Sequence, residues 1–148
     1  LQEARAAGMK LAIATTTTPD NVTALLETAL GSDAQSWFEV IAAGDIVPAK
    51  KPAPDIYFYA LQGLNLPAEA CLAFEDSQHG LTSAQKAGLP TVITVNGYTD
   101  NQDFTEAAIV LNDLGEPNQP FELIAGDSFS HSYFDLDLAQ KVHERAST

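Results

Sequence analysis

Within residues 70–80, ACLAFEDSQHG, an apolar run gives way to two adjacent carboxylates and then to the start of a helix. Cys71, Leu72, Ala73 and Phe74 form a run short and uniform enough to be a strand buried on both faces. Ser77 is placed to cap a helix whose apolar positions, Leu81, Ala84 and Ala87, recur at helical spacing before Gly88 and Pro90 end it. A strand, an acidic turn and a helix in this order are the repeating unit of open α/β sheets, where ligands bind at the carboxyl ends of strands. Glu75 and Asp76 stand at such an end. Side by side, two carboxylates repel each other unless a cation lies between them or one takes up a proton, and Mg²⁺ prefers carboxylate and water oxygens. The same pair also suits the first turn of a helix, where negative charge meets the positive end of the dipole.

The rest of the chain repeats the alternation. Residues 1–8 read as an amphipathic helix closed by Gly8, and residues 10–14 as an apolar strand. Thr15, Thr16, Thr17 and Thr18 follow, and a helix runs through Val22, Leu25, Leu26 and Ala29 to Gly31, with Pro19 or Asp20 in its first turn. Hydroxyls and free backbone N–H groups at this junction suit an anion; alternatively the threonines continue the strand and cap the helix. Residues 37–43, WFEVIAA, predict another strand. Pro52 and Pro54 hold the next stretch extended and delay a helix until after Pro54, so Lys51 is presented on a stiff segment. A rigidly held ammonium is a good phosphate partner, although two solvated surface lysines are the plainer reading of Lys50 and Lys51. The helix after Pro54 carries Ile56, Tyr57, Tyr59 or Ala60, and Leu64. Residues 91–95 and 107–111 predict strands, 121–125 a short strand and 135–145 a terminal helix. Strands alternating with helices imply a parallel sheet with right-handed crossovers.

With 148 residues, the chain has room for one domain with a real core, and residues 1–148 are read as a single domain. Twenty acidic against seven basic residues give a formal charge of −13, which argues against nucleic acid or an anionic membrane as the main partner. An anionic substrate then needs local positive charge or a metal ion. The single cysteine, Cys71, cannot form an internal disulfide, and its apolar neighbours predict a buried thiol in a reducing compartment. No run approaches the roughly 20 apolar residues of a membrane span and no leader pattern opens the chain, so a cytoplasmic location is expected. Leu1 opens inside a helical pattern without an initiating Met, as a chain does that begins in mid-protein. His79, His131 and His143 show no metal-ligand spacing, and no G-x-G-x-x-G, P-loop or G-x-S-x-G occurs.

Taken together, three junctions resemble the haloacid dehalogenase-like hydrolases, and within them the β-phosphoglucomutase-like branch of phosphatases and phosphomutases. The matching residues are Ala12, Ile13, Ala14 and Thr15 with Thr16, Thr17 and Asn21; Lys51-Pro52-Ala53-Pro54-Asp55-Ile56-Tyr57; and Phe74-Glu75-Asp76-Ser77 with Gly80, Ala84, Ala87 and Gly88. The resemblance covers residues 9–95. It implies an α/β, Rossmann-like parallel sheet with flanking helices and Mg²⁺-dependent phosphoryl transfer on a small phosphorylated metabolite such as a sugar phosphate. By position, Thr15 would hydrogen-bond the transferring phosphoryl group beside Thr16, Lys51 would offset its charge, and Asp76 with Glu75 would hold Mg²⁺ directly or through water. These roles suit phosphoryl transfer, which depends on positioning and on charge stabilisation.

The departure matters equally. Family members carry the nucleophile as the first Asp of a D-x-D motif on a central strand near the N-terminus, usually followed by a helical cap, and these residues contain neither. The core domain is thus read as incomplete at its N-terminus, and little turnover is expected from residues 1–148 alone. The one D-x-D present, Asp135-Leu136-Asp137, follows the polar stretch 128–132 rather than an apolar strand, so Asp135 is expected to cap the last helix. A sheet lacking its central strand exposes two edges. Those edges invite self-association, a missing N-terminal segment, or a rearranged sheet, and they support a second reading, a non-catalytic binding or assembly module pairing through its sheet edge.

Overall fold

A computed structural model describes residues 1–147. The elements are α1 (Gln2–Ala6), β1 (Ala12–Thr15), α2 (Pro19–Leu30), β2 (Val40–Ala43), α3 (Asp55–Leu64), β3 (Ala73–Glu75), α4 (Gln78–Lys86), β4 (Thr91–Thr94), β5 (Ile109–Leu111), β6 (Leu123–Ala125) and α5 (Leu136–Ala146). The strands do not close into one sheet. β1 pairs with β2, in parallel, and a separate sheet runs β3-β4-β5-β6, parallel as far as β5. No ladder joins β1 to β3 among the described residues. What links the two sheets is α3, whose Ile56, Tyr57, Ala60 and Leu64 are buried in one cluster with Val40, Ala42, Ala73 and Ala84.

Caps and ends follow the local chemistry. Thr18 accepts a hydrogen bond from the Asn21 amide and Pro19 fills the first position of α2, where a missing N–H costs nothing. Ser77 Oγ accepts from the Gly80 amide at 3.1 Å, which starts α4, and Gly88 turns the chain out at φ 86°. Asp135 Oδ1 accepts from the Leu138 amide at 2.8 Å, so this aspartate caps α5 as expected. Leu138 and Val142 of α5 are buried against Val92, Ile109 and Leu111.

Several expectations are corrected. Residues 37–43 are not all strand: residues 34–37 form a 3₁₀ turn that tucks Trp37 against α2 with the Arg5 guanidinium 4.4 Å from its ring, and the strand starts only at Val40. The strand at residues 71–74 is not buried on both faces. It spans Ala73–Glu75 at the border of its sheet, and Phe74 is 49% exposed, with a T-shaped ring contact to Phe134 at 5.3 Å between centroids. β6 is antiparallel: the connection after β5, residues 112–122, contains no helix, and a parallel return needs a crossover. The Pro52 segment is not extended: the Lys51–Pro52 bond is cis, and the Ala53 amide closes a tight turn onto the Lys50 carbonyl. Cys71 is only half-buried, and burial followed by the nearby Glu69 carboxylate pushes its thiol up. α1 buries none of its residues.

At the start of α5, Asp137 lies 3.0 Å from Lys141 and 2.9 Å from His131. The hydrogen bond from Lys141, and then His131, hold its carboxyl below the usual range. A carboxyl lowered on folding contributes stability above its unfolded pKa and loses it as pH falls through the folded one. Asp137→Asn should therefore lower the thermal midpoint slightly at neutral pH, with the gap closing as pH drops below about 4. A deficit independent of pH would contradict this.

Candidate active site

The carboxyl ends of β1 and β3 are joined by one side chain. Lys51 Nζ donates to the Ala14 carbonyl oxygen at 3.1 Å and forms an ion pair with Glu75 Oε1. The tight turn at residues 50–53 and the start of α3 after Pro54 aim Lys51 inward, whereas Lys50 points outward to Asp45 at 3.0 Å. The Lys51 and Glu75 side chains are 15% and 7% exposed, so the pair is largely removed from water. Of the plain reading of two solvated lysines, only Lys50 answers to it.

Glu75 is held by more than Lys51. Tyr57, buried on α3, donates its hydroxyl to the same Oε1, and its ring lies beneath the ammonium with 5.4 Å from Nζ to the centroid. Burial first, then the charge of Glu75 and its hydrogen bond, then Asp76, push the phenol far up, so it stays protonated and donates to Glu75. On the other side, a Cβ at Gly80 would overlap the Glu75 carboxylate; the absence of a side chain there lets α4 approach it. The sequence singles out Tyr57 only as a helix position and a motif residue. The available clue is chemical, since a tyrosine on the buried face of a helix needs a partner for its hydroxyl.

The remaining predicted residues stand around this pair. Thr15 ends β1 next to Ala14, and its Oγ1 accepts from the Thr17 amide at 3.1 Å, which leaves the hydroxyl proton to donate elsewhere. Thr16 is exposed. Asp76 is exposed beyond Glu75 and its carboxylate has no hydrogen bond or ion pair among the described residues. No group of three or more His, Cys, Asp or Glu side chains suited to a metal is found among them. His79 is exposed one residue into α4, and His131 and His143 belong to contacts around α5. No described helix is long and apolar enough to cross a membrane.

Thr15, Lys51 and Asp76 all lie within the span that a family model of haloacid dehalogenase-like hydrolases matches, residues 1–88. The chain belongs to the haloacid dehalogenase-like hydrolases. Among its relatives, Protein CbbY of Rhodobacter capsulatus is 55% identical over 114 residues, covering 77% of this chain and 50% of that protein. The Phosphorylated carbohydrates phosphatase of Thermotoga maritima is 35% identical over 103 residues, covering 69% and 46%. A crystal structure of a CbbY variant from Rhodobacter sphaeroides in complex with xylulose-(1,5)bisphosphate superposes with a TM-score of 0.74 at 46% identity, covering 76% of this chain and 50% of that one. The chain spans about half the length of these curated relatives. Lys51 and Glu75, the pair that ties β1 to β3, both lie inside the matched span.

Proposed function

We propose that this chain forms the larger part of the core domain of a Mg²⁺-dependent phosphatase, or phosphomutase, acting in its complete form on small phosphorylated sugars. The observation that carries the reading is Lys51. Its ammonium has three protons, and Ala14 and Glu75 take two of them, so one N–H remains for a phosphoryl oxygen at the mouth of the strand ends, with the ammonium charge shared between that oxygen and Glu75. In a chain of charge −13, this donor together with a bound Mg²⁺ would offset the charge of an anionic substrate.

The donor chemistry fits the metal. Two oxygen-only carboxylates at the end of β3, one of them exposed and unpaired, match a hard cation that retains several waters, as Mg²⁺ does. Asp76 would hold it directly, with Glu75, committed to Lys51 and Tyr57, acting through water, and when bound it would neutralise charge on the transferring group. Thr15 would donate its hydroxyl to an equatorial phosphoryl oxygen and Thr16 would line the same rim. The nucleophile comes from the D-x-D strand that the family resemblance supplies; the unpaired edges of β1 and β3, spanned by Lys51, offer that strand a place. The same edges favour one second reading, a non-catalytic module that pairs with a partner strand.

Phosphate release by the full-length protein from a panel of sugar bisphosphates, sugar monophosphates and p-nitrophenyl phosphate separates these. The xylulose-(1,5)bisphosphate bound to the R. sphaeroides relative makes a ketose bisphosphate the first substrate to test. Sugar phosphates should be cleaved fastest. No release from any of them, with a stable hetero-oligomer in solution, would favour the module.

A further inference from the structure

Lys51 can serve a phosphoryl group only if its ammonium stays where two of its protons are spent, and one of those partners is itself a flexible side chain. Glu75 has three rotatable torsions. Its carboxylate is nevertheless 7% exposed and engaged at a single oxygen by two donors from different elements, Lys51 from the turn before α3 and Tyr57 from α3 itself. The Tyr57 backbone is fixed in turn: Ile56, Ala60 and Leu64 on the same helix are buried in the core cluster shared with Val40 and Ala42 of β2, and with Ala73 of β3. Gly80 closes the remaining side by bringing the first turn of α4 against the carboxylate.

We propose that Tyr57 is a positioning residue: its hydroxyl anchors Glu75 Oε1, and through Glu75 it fixes the Lys51 ammonium for the transferring phosphoryl group. The inference rests on the phosphatase reading above and deepens it. Without the hydroxyl, Oε1 would be held by Lys51 alone. Glu75 and Lys51 would then rotate as a pair, and the third N–H of Lys51 would no longer be directed at one place. The cost falls on the chemical step, which depends on a preorganised charge, more than on substrate capture, to which the remote parts of the substrate also contribute.

Tyr57→Phe keeps the ring and its packing and removes only the hydroxyl, so it isolates this role. In the full-length protein with Mg²⁺ and the best sugar phosphate of the panel, kcat should fall by roughly tenfold, the scale of one lost hydrogen bond to a charged group, with KM changed far less. The affinity for inorganic phosphate, read by calorimetry, should weaken severalfold as well. In a Lys51→Ala background, adding Tyr57→Phe should lower kcat no further, because the hydroxyl acts on the chemical step through the lysine. A hydroxyl that only satisfies its own burial would shift the melting temperature, leave kcat and phosphate affinity at wild-type values, and contribute no coupling with Lys51; that pattern overturns the proposal. Wild-type protein that neither turns over nor binds phosphate overturns the phosphatase reading and this inference together, whereas an active wild type with an unaltered Tyr57→Phe overturns this inference alone.

Discussion

Replacing Lys51 with alanine in the full-length protein should slow the chemical step of phosphoryl transfer by about a thousandfold, the scale set by losing one preorganised charge at the transferring group. The same change should cost stability. It leaves the Glu75 carboxylate buried with only the Tyr57 hydroxyl as partner, a stranded charge of the kind that costs on the order of 3 kcal/mol. The two effects are separable. Lys51→Ala with Glu75→Gln removes the stranded charge and should recover most of the lost stability while recovering none of the rate. Rate and stability returning together would mean that Lys51 serves folding rather than phosphoryl transfer. Near-normal turnover in Lys51→Ala would remove it from the mechanism.

Asp76→Asn should weaken Mg²⁺ binding and, with it, turnover. Asp76 is exposed just after β3, with no hydrogen bond or ion pair among the described residues, whereas Glu75 is committed to Lys51 and Tyr57, so a metal bound there would rest mostly on Asp76. Millimolar Mg²⁺ should raise the melting temperature of the wild type by mass action and leave that of Asp76→Asn in place. Calorimetric Mg²⁺ affinity should drop by about a hundredfold, and turnover with it. An Asp76→Asn protein that still melts higher with Mg²⁺ would place the ion elsewhere.

The parts of this molecule legible in its sequence are those decided within a few residues. Ser77 three residues before Gly80, Asp135 before Leu138 and Pro19 after Thr18 each set a helix start by a local hydrogen bond or a missing one, and the structure places each helix there. The strand–helix alternation was equally legible, since each apolar run is local. The order of the sheets was not, because nothing near Ala12 or Ala73 states which strand lies beside it. Three misreadings share that cause. Phe74 looks like core but stands 49% exposed at a sheet border. The direction of β6 depends on the absence of a crossover. The tight turn over residues 50–53 is set by where Lys51 must reach, to Ala14 of β1 and Glu75 of β3, which local sequence does not state. In the site, Lys51 was readable as a lysine held on a stiff segment before a helix, and Glu75 as a carboxylate at a strand end. Their contact across 24 positions, and the Tyr57 hydroxyl that joins it, exist only once α3 has packed.

The measurement that tests the central claim most directly is phosphate release from a ketose bisphosphate by the full-length protein, with Mg²⁺ and again with EDTA. The account predicts steady release with Mg²⁺, loss of it in EDTA and recovery when Mg²⁺ is restored in excess. Release that is indifferent to EDTA would contradict the metal role of Asp76 and Glu75. No release under any of these conditions would contradict the phosphatase itself.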